Sequence, residues 1–341
     1  MSMSNPLRQQ QWQQFRNTKR GFWSLIVFSI LFIIGMGAEF IANDKPLLVQ
    51  FDGQYYVPIL KVYAETEFGG DFDTQANYRD EYVQELINEQ GWMIWPLIPF
   101  HYTTIIEDLD QPAPSAPSIN NWLGTDDTGR DVLARIIYGF RISVLFGFAL
   151  TILSSIIGVL VGALQGFYGG RIDLVGQRFI EVWSGMPVLF ILIILANFIK
   201  PNFWSLLLIM LLFSWMSLVD VVRAEFLRCR NLDYVRAAKA LGLNDWQIMF
   251  RHMLPNAMVA TLTFMPFILS GSVTTLTSLD FLGLGLPLGS ASLGELLAQG
   301  KNNLHAPWLA LSAFVTLGVL LSLLTFIGEA VRNAFDPRTS L

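Results

Sequence analysis

Long apolar runs alternate with short polar segments along this chain. Six runs without Asp, Glu, Lys or Arg are long enough, or nearly so, to cross the hydrocarbon core of a bilayer, which takes about 20 apolar residues in a helix. They are residues 21–38, 142–170, 182–199, 201–219, 253–279 and 306–328. Only the tripeptide KPN at 200–202 intervenes between the third and fourth runs, which predicts a tight hairpin of antiparallel helices. The pattern therefore predicts an all-α polytopic membrane protein with six transmembrane helices.

The first run allows a second interpretation, because Arg16, Lys19 and Arg20 precede it as they would precede the apolar core of a signal peptide. Its apolar region is longer than such a core, and no small-residue cleavage site follows. A retained first span is therefore the favoured interpretation.

A long polar stretch, residues 42–141, separates the first and second runs. From 42 to 131 it contains sixteen Asp and Glu against four Lys and Arg. Asp52-Gly53 lies between two strand-like runs, which predicts a β-hairpin, and residues 80–91 predict a short helix that ends at Gly91. A Pro/Ser-rich linker follows at 111–118. We expect a small α+β insertion, whose acidity fits either a solvated cap or a docking surface for a partner or a cationic substrate.

The amino-acid composition is typical of a membrane protein, and the distribution of Lys and Arg predicts the orientation of the chain in the membrane. Hydrophobic residues make up 53% of the 341 residues and charged residues 14%, whereas soluble domains carry roughly 25% charged residues. With a cytoplasmic N-terminus, the inner segments hold fourteen Lys and Arg and the short outer loops hold two, Lys200 and Lys301. Short cytoplasmic loops are enriched in Lys and Arg. The N- and C-termini are therefore predicted to be cytoplasmic.

The predicted organisation follows from these spans and their orientation. It comprises a cytoplasmic N-terminal segment (1–20), a first transmembrane helix (21–41), a periplasmic acidic insertion (42–141), a five-helix core (142–331) with a cytoplasmic loop at 223–255, and a cytoplasmic tail (332–341).

The cytoplasmic loop carries a patterned polar segment, YVRAAKALGLNDWQIMFRHMLPN, at 234–256. Its sequence predicts a helix over 234–241 that Gly242 stops, and a second helix over 246–253 that Asn244 or Asp245 caps and Pro255 ends. The apolar side chains that we expect to be partly exposed, as a knob on the membrane face, are Ala237, Ala238, Leu241, Ile248 and Met249. The alternative is a structured loop that merely connects two spans.

The spacing of residues within this segment resembles the spacing in the coupling loop of ABC-importer permeases. That pattern is E-A-A, three residues, Gly, nine residues, I-x-L-P, and this chain has the same spacing from Ala237-Ala238 to the end of the segment. Arg236 stands where the family has Glu, and His252 where it has Ile. The positions that the resemblance assigns to coupling with an ATPase are Ala237, Ala238, Gly242, His252, Leu254 and Pro255.

Further stretches are similar to the C-type permeases of oligopeptide and dipeptide importers. They are WLGTDDTGRDVLARIIYGFRISVLFG at 122–147, SLDFLGLG at 278–285 and GEAVRNAFDPR at 328–338. The chain departs from that group at Asp280, where Ser is usual, at SLGE (292–295), which replaces Ser-Trp-Gly, and in its larger insertion. The combination looks most like broad-spectrum peptide importers that also take up microcin C; nickel and opine importers of the same family are the alternative.

The resemblance implies a partner set. The chain would form half of a heterodimeric pore with a second permease, and would work with two ATP-binding subunits, a periplasmic peptide-binding protein, peptide cargo and membrane lipids, but no nucleic acid. ATP and Mg²⁺ would bind to the partner subunits. Other classes fit less well: a secondary transporter would need acid or His relays within its spans, and an anchored receptor would need only one span.

No cofactor, catalytic or metal site is predicted in the chain itself. The one lookalike of a phosphate-binding loop, residues 294–302, has five residues between its glycines and Asn302 where Ser or Thr should hold magnesium. The three histidines do not cluster along the predicted topology, and no Ser/His/Asp or Cys/His motif is evident.

Two patterns inside the spans suggest further roles. Gly158, Gly162 and Gly166 recur every four residues, which favours close helix packing within or between permease subunits. In the fifth run, Ser270, Thr274 and Thr277 share a helical face that Asp280 extends, and this face is a candidate lining of the translocation path. The alternative is that these hydroxyls bond to the backbone of their own helix, as is frequent in membranes.

Overall fold

The computed structural model describes residues 6–109, 111–196 and 198–335, so that most of the predicted tail at 332–341 lies outside the described residues. Its helices are α1 (Pro6–Asn17), α2 (Lys19–Met36), α3 (Ala38–Ile41), α4 (Glu81–Gln90), α5 (Val132–Tyr168), α6 (Gly170–Ser184), α7 (Val188–Ala196), α8 (Phe203–Ser214), α9 (Met216–Cys229), α10 (Asp233–Ala240), α11 (Asp245–Gln247), α12 (Leu254–Phe281), α13 (Leu293–Asn302) and α14 (Pro307–Phe335). Three strands, β1 (Leu48–Phe51), β2 (Gln54–Tyr56) and β3 (Gly91–Ile94), a 3₁₀ helix, Glu65–Phe68, and a π-helical turn, Ile248–Met253, complete the regular structure.

Two compact units share these helices. The first contains residues up to Ser29, Val144–Pro287 and the chain from Gly318, and the second contains Ile30–Ser143 and Leu288–Leu317.

Within the described residues, five helical runs are long and apolar enough to cross a membrane. They are Lys19–Met36, Val132–Tyr168, Phe203–Cys229, Asp245–Phe281 and Pro307–Phe335. The helices α6 and α7 make a sixth crossing if the pair forms one bent span. The predicted all-α polytopic membrane fold with a small α+β insertion is therefore confirmed.

The third crossing, predicted over 182–199, is bent at Pro187. The axes of α6 and α7 differ by 68°, and the break falls at Gly185, Met186 and Pro187. Proline lacks an N–H for the helical ladder, and its ring disfavours helical geometry at the preceding residue. The run at 182–199 includes only the last three residues of α6, because the charged residues earlier in this helix ended the apolar pattern.

The second crossing starts at Val132, ten residues before the predicted position. Arg135 and Arg141 interrupt the apolar pattern there, but both side chains have partners. Arg141 Nη1 donates to both carboxylate oxygens of Glu39, at 2.7 and 2.9 Å. Paired arginines can lie within a helix whose other side chains are apolar, and the last ten residues of the predicted insertion are therefore part of α5.

Arg135 belongs to a ring of four charged side chains in the second unit, formed with Asp126, Arg130 and Glu295. Asp126 Oδ2 accepts from Arg130 Nε at 2.8 Å and from Arg135 Nη1 at 2.6 Å. Glu295 completes the ring at 3.0 Å from Arg135 and 3.4 Å from Arg130. Asp126 and Arg135 are fully buried. Burial alone would raise the pKa of Asp126, but the positive charges of Arg135 and Arg130 and the N–H of Arg130 lower this pKa below its ordinary value.

The predicted hairpin is present in the insertion, with Asp52 and Gly53 in its turn at φ 45° and 73°. Positive φ at both positions is the geometry of a type I′ turn, which Asp-Gly favours. A third strand, β3, was missed. Gly91 does end α4, but the chain passes directly into β3, which pairs antiparallel with β1 to give the order β2-β1-β3.

The three spaced glycines of α5 lie against α9. A methyl group at Gly158 would lie 2.6 Å from the carbonyl oxygen of Trp215, and one at Gly162 would lie 2.7 Å from that of Val219. A methyl group at Gly166 would meet the Arg223 carbonyl at 2.6 Å. These are backbone atoms, which cannot move aside as a side chain can. The absence of side chains at these positions therefore lets the two helix backbones come into contact.

We expect Gly162→Ala to destabilise the protein, because the added methyl group forces α5 away from α9. Overpacking of this kind costs about 1–3 kcal/mol. Gly318→Ala in α14 is the matched control, since no atom lies within 4 Å of its added methyl group, and alanine favours a helix over glycine by about 1 kcal/mol. Melting temperatures of the two purified variants should fall on opposite sides of the parent value. Equal melting temperatures would show that the glycines are only permissive.

Candidate functional site

The segment between α9 and α12 begins with α10, which ends in a Schellman motif. The N–H of Leu243 donates to the carbonyl of Ala238 at 3.2 Å, and the N–H of Gly242 to that of Lys239 at 3.0 Å. Gly242 has φ +77°, in the left-handed region that side chains disfavour. Gly242 thus stops α10 through its backbone geometry. A Cβ added at this position would meet no neighbouring group within 4 Å, so close packing is not the reason for the glycine.

The second half of the segment begins at Asn244 with a capping box. The Asn244 side chain accepts from the N–H of Gln247 at 2.8 Å, and the Gln247 side chain accepts from the N–H of Asn244 at 3.3 Å. Asn244 is therefore the N-cap of α11, and Asp245 is its first residue.

Pro255 does not end this second helix, and that prediction was wrong. The helix α11 continues through the π-helical turn into α12, and Pro255 lies in the first turn of α12. The N–H of Leu254 bonds to the carbonyl of Met249, five residues back. Proline is tolerated in a first turn because no helical partner is needed for its missing N–H. The widened turn before it keeps the helical run continuous.

The set of exposed side chains along the segment differs from the set that was predicted to form an exposed knob. Ala237 and Leu241 are exposed, but Ala238, Ile248 and Met249 are buried. These three side chains lie on the inner face of the segment, which packs against the spans. The prediction was wrong for them because a short amphipathic helix has one buried face, and sequence alone did not show which apolar residues occupied it.

One hydrophobic cluster joins this inner face to the spans. Its buried members come from α5, α9, α10, the π-helical turn and the start of α12: Val159, Ala163, Phe167, Leu218, Val222, Phe226, Cys229, Val235, Ala238, Ile248, Met249, Met253 and Ala257. We call this set the anchoring cluster. Because protein interiors are close-packed, a displacement of the segment is passed to the helices that share the cluster.

The outer face carries an exposed apolar tip formed by Leu241, Trp246 and Phe250. These side chains are 82%, 56% and 42% exposed, and the rings of Trp246 and Phe250 stack with centroids 5.4 Å apart. Exposed aromatic side chains of this kind are typical of protein interfaces. Trp246 and Phe250 were missed as site residues, although their spacing of four places them on one helical face.

Basic side chains lie on the same segment as the tip. Arg236, Lys239 and Arg251 are exposed on the same segment, and Lys239 also lies over the Phe167 ring of α5 at 5.3 Å. The other predicted coupling positions lie at the end of the segment, where His252 and Leu254 are half-buried and Pro255 is exposed.

A hydrogen bond ties the two ends of the segment together. Asn256 Nδ2 donates to the Tyr234 hydroxyl at 3.0 Å. The start of α10 and the start of α12 are therefore fixed to each other, and the segment is a closed unit rather than an open loop.

The polar positions predicted to line a path on α12 do not form one exposed stripe. Thr274 is exposed, Ser270 is half-buried, and Thr277 and Asp280 are buried. The three hydroxyls donate to carbonyls four residues earlier at 2.9–3.0 Å, and Asp280 accepts from the N–H of Leu286 at 2.7 Å. Near the predicted path, the exposed Ser and Thr side chains of this helix are Thr274, Thr275 and Ser278, and Gly271 is exposed beside them.

Comparisons with known proteins identify the class. The family model for the inner membrane component of binding-protein-dependent transport systems matches residues 154–341. The inner membrane ABC transporter permease protein YejE of Escherichia coli K12 is 62% identical over 341 residues, with both chains fully covered. The peptidoglycan transport system permease protein YejE of Agrobacterium fabrum C58 is 56% identical, covering 98% of this chain and 94% of its own.

A third relative is named for oligopeptide transport. The oligopeptide transport system permease protein OppC of Lactococcus lactis IL1403 is 35% identical, covering 65% of this chain and 78% of its own. The chain belongs to the family of inner membrane components of binding-protein-dependent transport systems. The resemblance of its sequence to oligopeptide and dipeptide permeases is thereby confirmed.

The two faces of the segment should respond differently to truncation. Ile248→Ala removes a buried side chain from the anchoring cluster and should cost about 2–5 kcal/mol of stability. Trp246→Ala removes a larger side chain from the exposed tip and should leave the melting temperature of the purified permease almost unchanged. If Trp246→Ala lowered the melting temperature as much as Ile248→Ala, this assignment of the two faces would be contradicted.

Proposed function

We propose that the chain is the permease subunit of an ATP-driven importer that carries peptides across the bacterial inner membrane. The observation that carries the proposal is the closed, anchored segment with its exposed apolar tip, in the place where ABC-importer permeases have their coupling loop. Relatives named for ABC transport, peptidoglycan transport and oligopeptide transport support peptides or peptide-bearing fragments as cargo.

The proposed assembly contains a second permease, two ATP-binding subunits and a substrate-binding protein. ATP and Mg²⁺ bind to the ATP-binding subunits, and this chain performs no hydrolysis. Leu241, Trp246 and Phe250 insert into a pocket of one ATP-binding subunit, because exposed aromatic side chains are typical anchors of such an interface. The basic residues Arg236, Lys239 and Arg251 favour an acidic rim on that pocket.

Coupling works by a shift of population between two pore states. Closure of the ATP-binding subunits displaces the tip, and the anchoring cluster passes this displacement to α5, α9 and α12. Binding of ATP thus favours the pore state that accepts cargo from the binding protein, and hydrolysis restores the other state. Gly271, Thr274, Thr275 and Ser278 offer a polar surface on α12 that suits the lining of the path.

Coupling can be separated from assembly with variants of the exposed tip. We expect Leu241→Ala/Trp246→Ala to abolish most of the ATPase stimulation by peptide-loaded binding protein while the complex still assembles. Leu304→Ala, at a similarly exposed leucine outside the segment, is the control and should behave as the parent. Gly242→Val should also reduce stimulation, since valine is strained at φ +77°. Normal stimulation in the double variant would overturn the assignment of the tip.

The asymmetry of Lys and Arg supports cytoplasmic termini, a cytoplasmic coupling segment and a periplasmic insertion. Native Cys229 cannot report on this sidedness because it is buried. In a Cys229→Ala background, a cysteine replacing exposed Asn120 should react with an impermeant maleimide in intact spheroplasts. A cysteine replacing exposed Gln247 should react only after the membrane is permeabilised. The reverse pattern would refute the orientation and leave the fold untouched.

A further inference from the structure

An apolar groove of about 940 Å³ lies between α1, α2, α12 and the end of α14, all within the first compact unit. Its apolar lining residues include Trp12, Phe15, Leu25, Val259 and Val331. Among the residues that the structure describes, the lining contains no charged side chain. The groove can therefore accept an apolar chain without burying a charge.

The amphipathic helix α1 forms one wall of the groove. Phe15 is buried against Ala330 and Ala334 of α14, and the Trp12 ring stacks on the Phe15 ring with centroids 5.7 Å apart. More than half of the Trp12 side chain remains exposed. The helix is thus held across the end of α14, with an exposed aromatic side chain at its surface.

Three exposed basic residues lie close in sequence to residues that line the groove. Arg16 directly follows Phe15, and Lys19 and Arg20 begin α2. Leu25 of the lining is six residues beyond Lys19, which is roughly 9 Å along the helix axis. Positive charge therefore lies, along the chain, within about two helical turns of residues that line the groove.

Three of the helices that line the groove, α2, α12 and α14, are candidate membrane spans, so its surroundings include lipid. A helix with aromatic residues and a basic end suits the interface between headgroups and acyl chains, and basic pockets between spans suit anionic headgroups. We propose that the groove binds an anionic phospholipid, with an acyl chain against Val259 and Val331 and its phosphate beside Arg16, Lys19 and Arg20. The proposal needs the membrane location of the chain and does not depend on its cargo.

Occupancy of this site would bear on coupling. Pro255 and Asn256 also line the groove, and Asn256 makes the hydrogen bond that closes the coupling segment. A bound lipid would restrain the start of α12 relative to α1 and α14. The lipid would therefore stabilise the position from which the coupling segment acts.

Native mass spectrometry of the intact transporter in detergent tests the affinity, with phosphatidylglycerol and phosphatidylcholine as probes. Arg16→Gln/Lys19→Gln/Arg20→Gln should weaken phosphatidylglycerol binding by at least about fivefold, the effect of one basic residue at a membrane surface, and should leave phosphatidylcholine binding unchanged. Val259→Trp should reduce binding of phosphatidylglycerol by filling the groove. Val319→Trp, at a similarly exposed valine of α14 outside the groove, should not. Equal effects of the two tryptophans, or an equal loss of both lipids in the triple variant, would overturn the proposal.

A photocrosslinking amino acid at position 259 identifies the occupant without relying on weakened binding. In nanodiscs that contain phosphatidylglycerol, the intact transporter should give a phospholipid adduct on this chain, and the adduct should decline when phosphatidylcholine replaces phosphatidylglycerol. A crosslink to an ATP-binding subunit or to the second permease would show that a protein covers the groove, and would refute the lipid site.

Discussion

The anchoring cluster is the contact on which the proposed coupling depends. A helix of eight residues, such as α10, is too short to be stable in water by itself. Val235 and Ala238 bury its apolar face in the cluster with residues of α5 and α9, and that burial supplies the stability which the short helix lacks. The contact depends in turn on the glycines of α5, because only their small size lets α9 approach closely enough to complete the cluster. Local helix formation outside the spans is therefore a consequence of packing between the spans.

A second constraint concerns charge. In a chain with so few charged residues, three arginines near the ends of the spans have acidic partners: Arg141 binds Glu39, Arg223 binds Asp173 through two hydrogen bonds, and Arg135 belongs to the four-membered ring. Removing one partner of a buried pair leaves an uncompensated charge, which is far more costly than the pair itself. The ring thereby fixes the start of α5 to α13, although 160 residues separate Arg135 from Glu295.

Sequence patterns predicted the number and type of elements better than their ends. Six apolar runs correspond to five crossings and a bent pair, and Asp52-Gly53, Gly242 and Asn244 predicted a turn, a stop and a cap because each acts through local backbone chemistry. The start of α5 was misplaced because the partners of its arginines lie far away along the chain. The strand β3 was missed because four residues carry too little pattern, and the buried face of the coupling segment could not be chosen before its neighbours were known.

The continuous helical run Asp245–Phe281 gives the coupling segment a mechanical property that two separate helices would lack. It is a rod of 37 residues, roughly 55 Å at 1.5 Å per residue, with the exposed tip at one end and Asp280 at the other. In the proposed coupling, a displacement of its first turn would be transmitted along this helix to the far end. Pro266 interrupts the hydrogen-bond ladder near the middle of this rod. The stiffness of the helix at Pro266 therefore determines how much of a displacement at Trp246 reaches the far end of the helix. The remainder of the displacement becomes bending of the helix within the membrane.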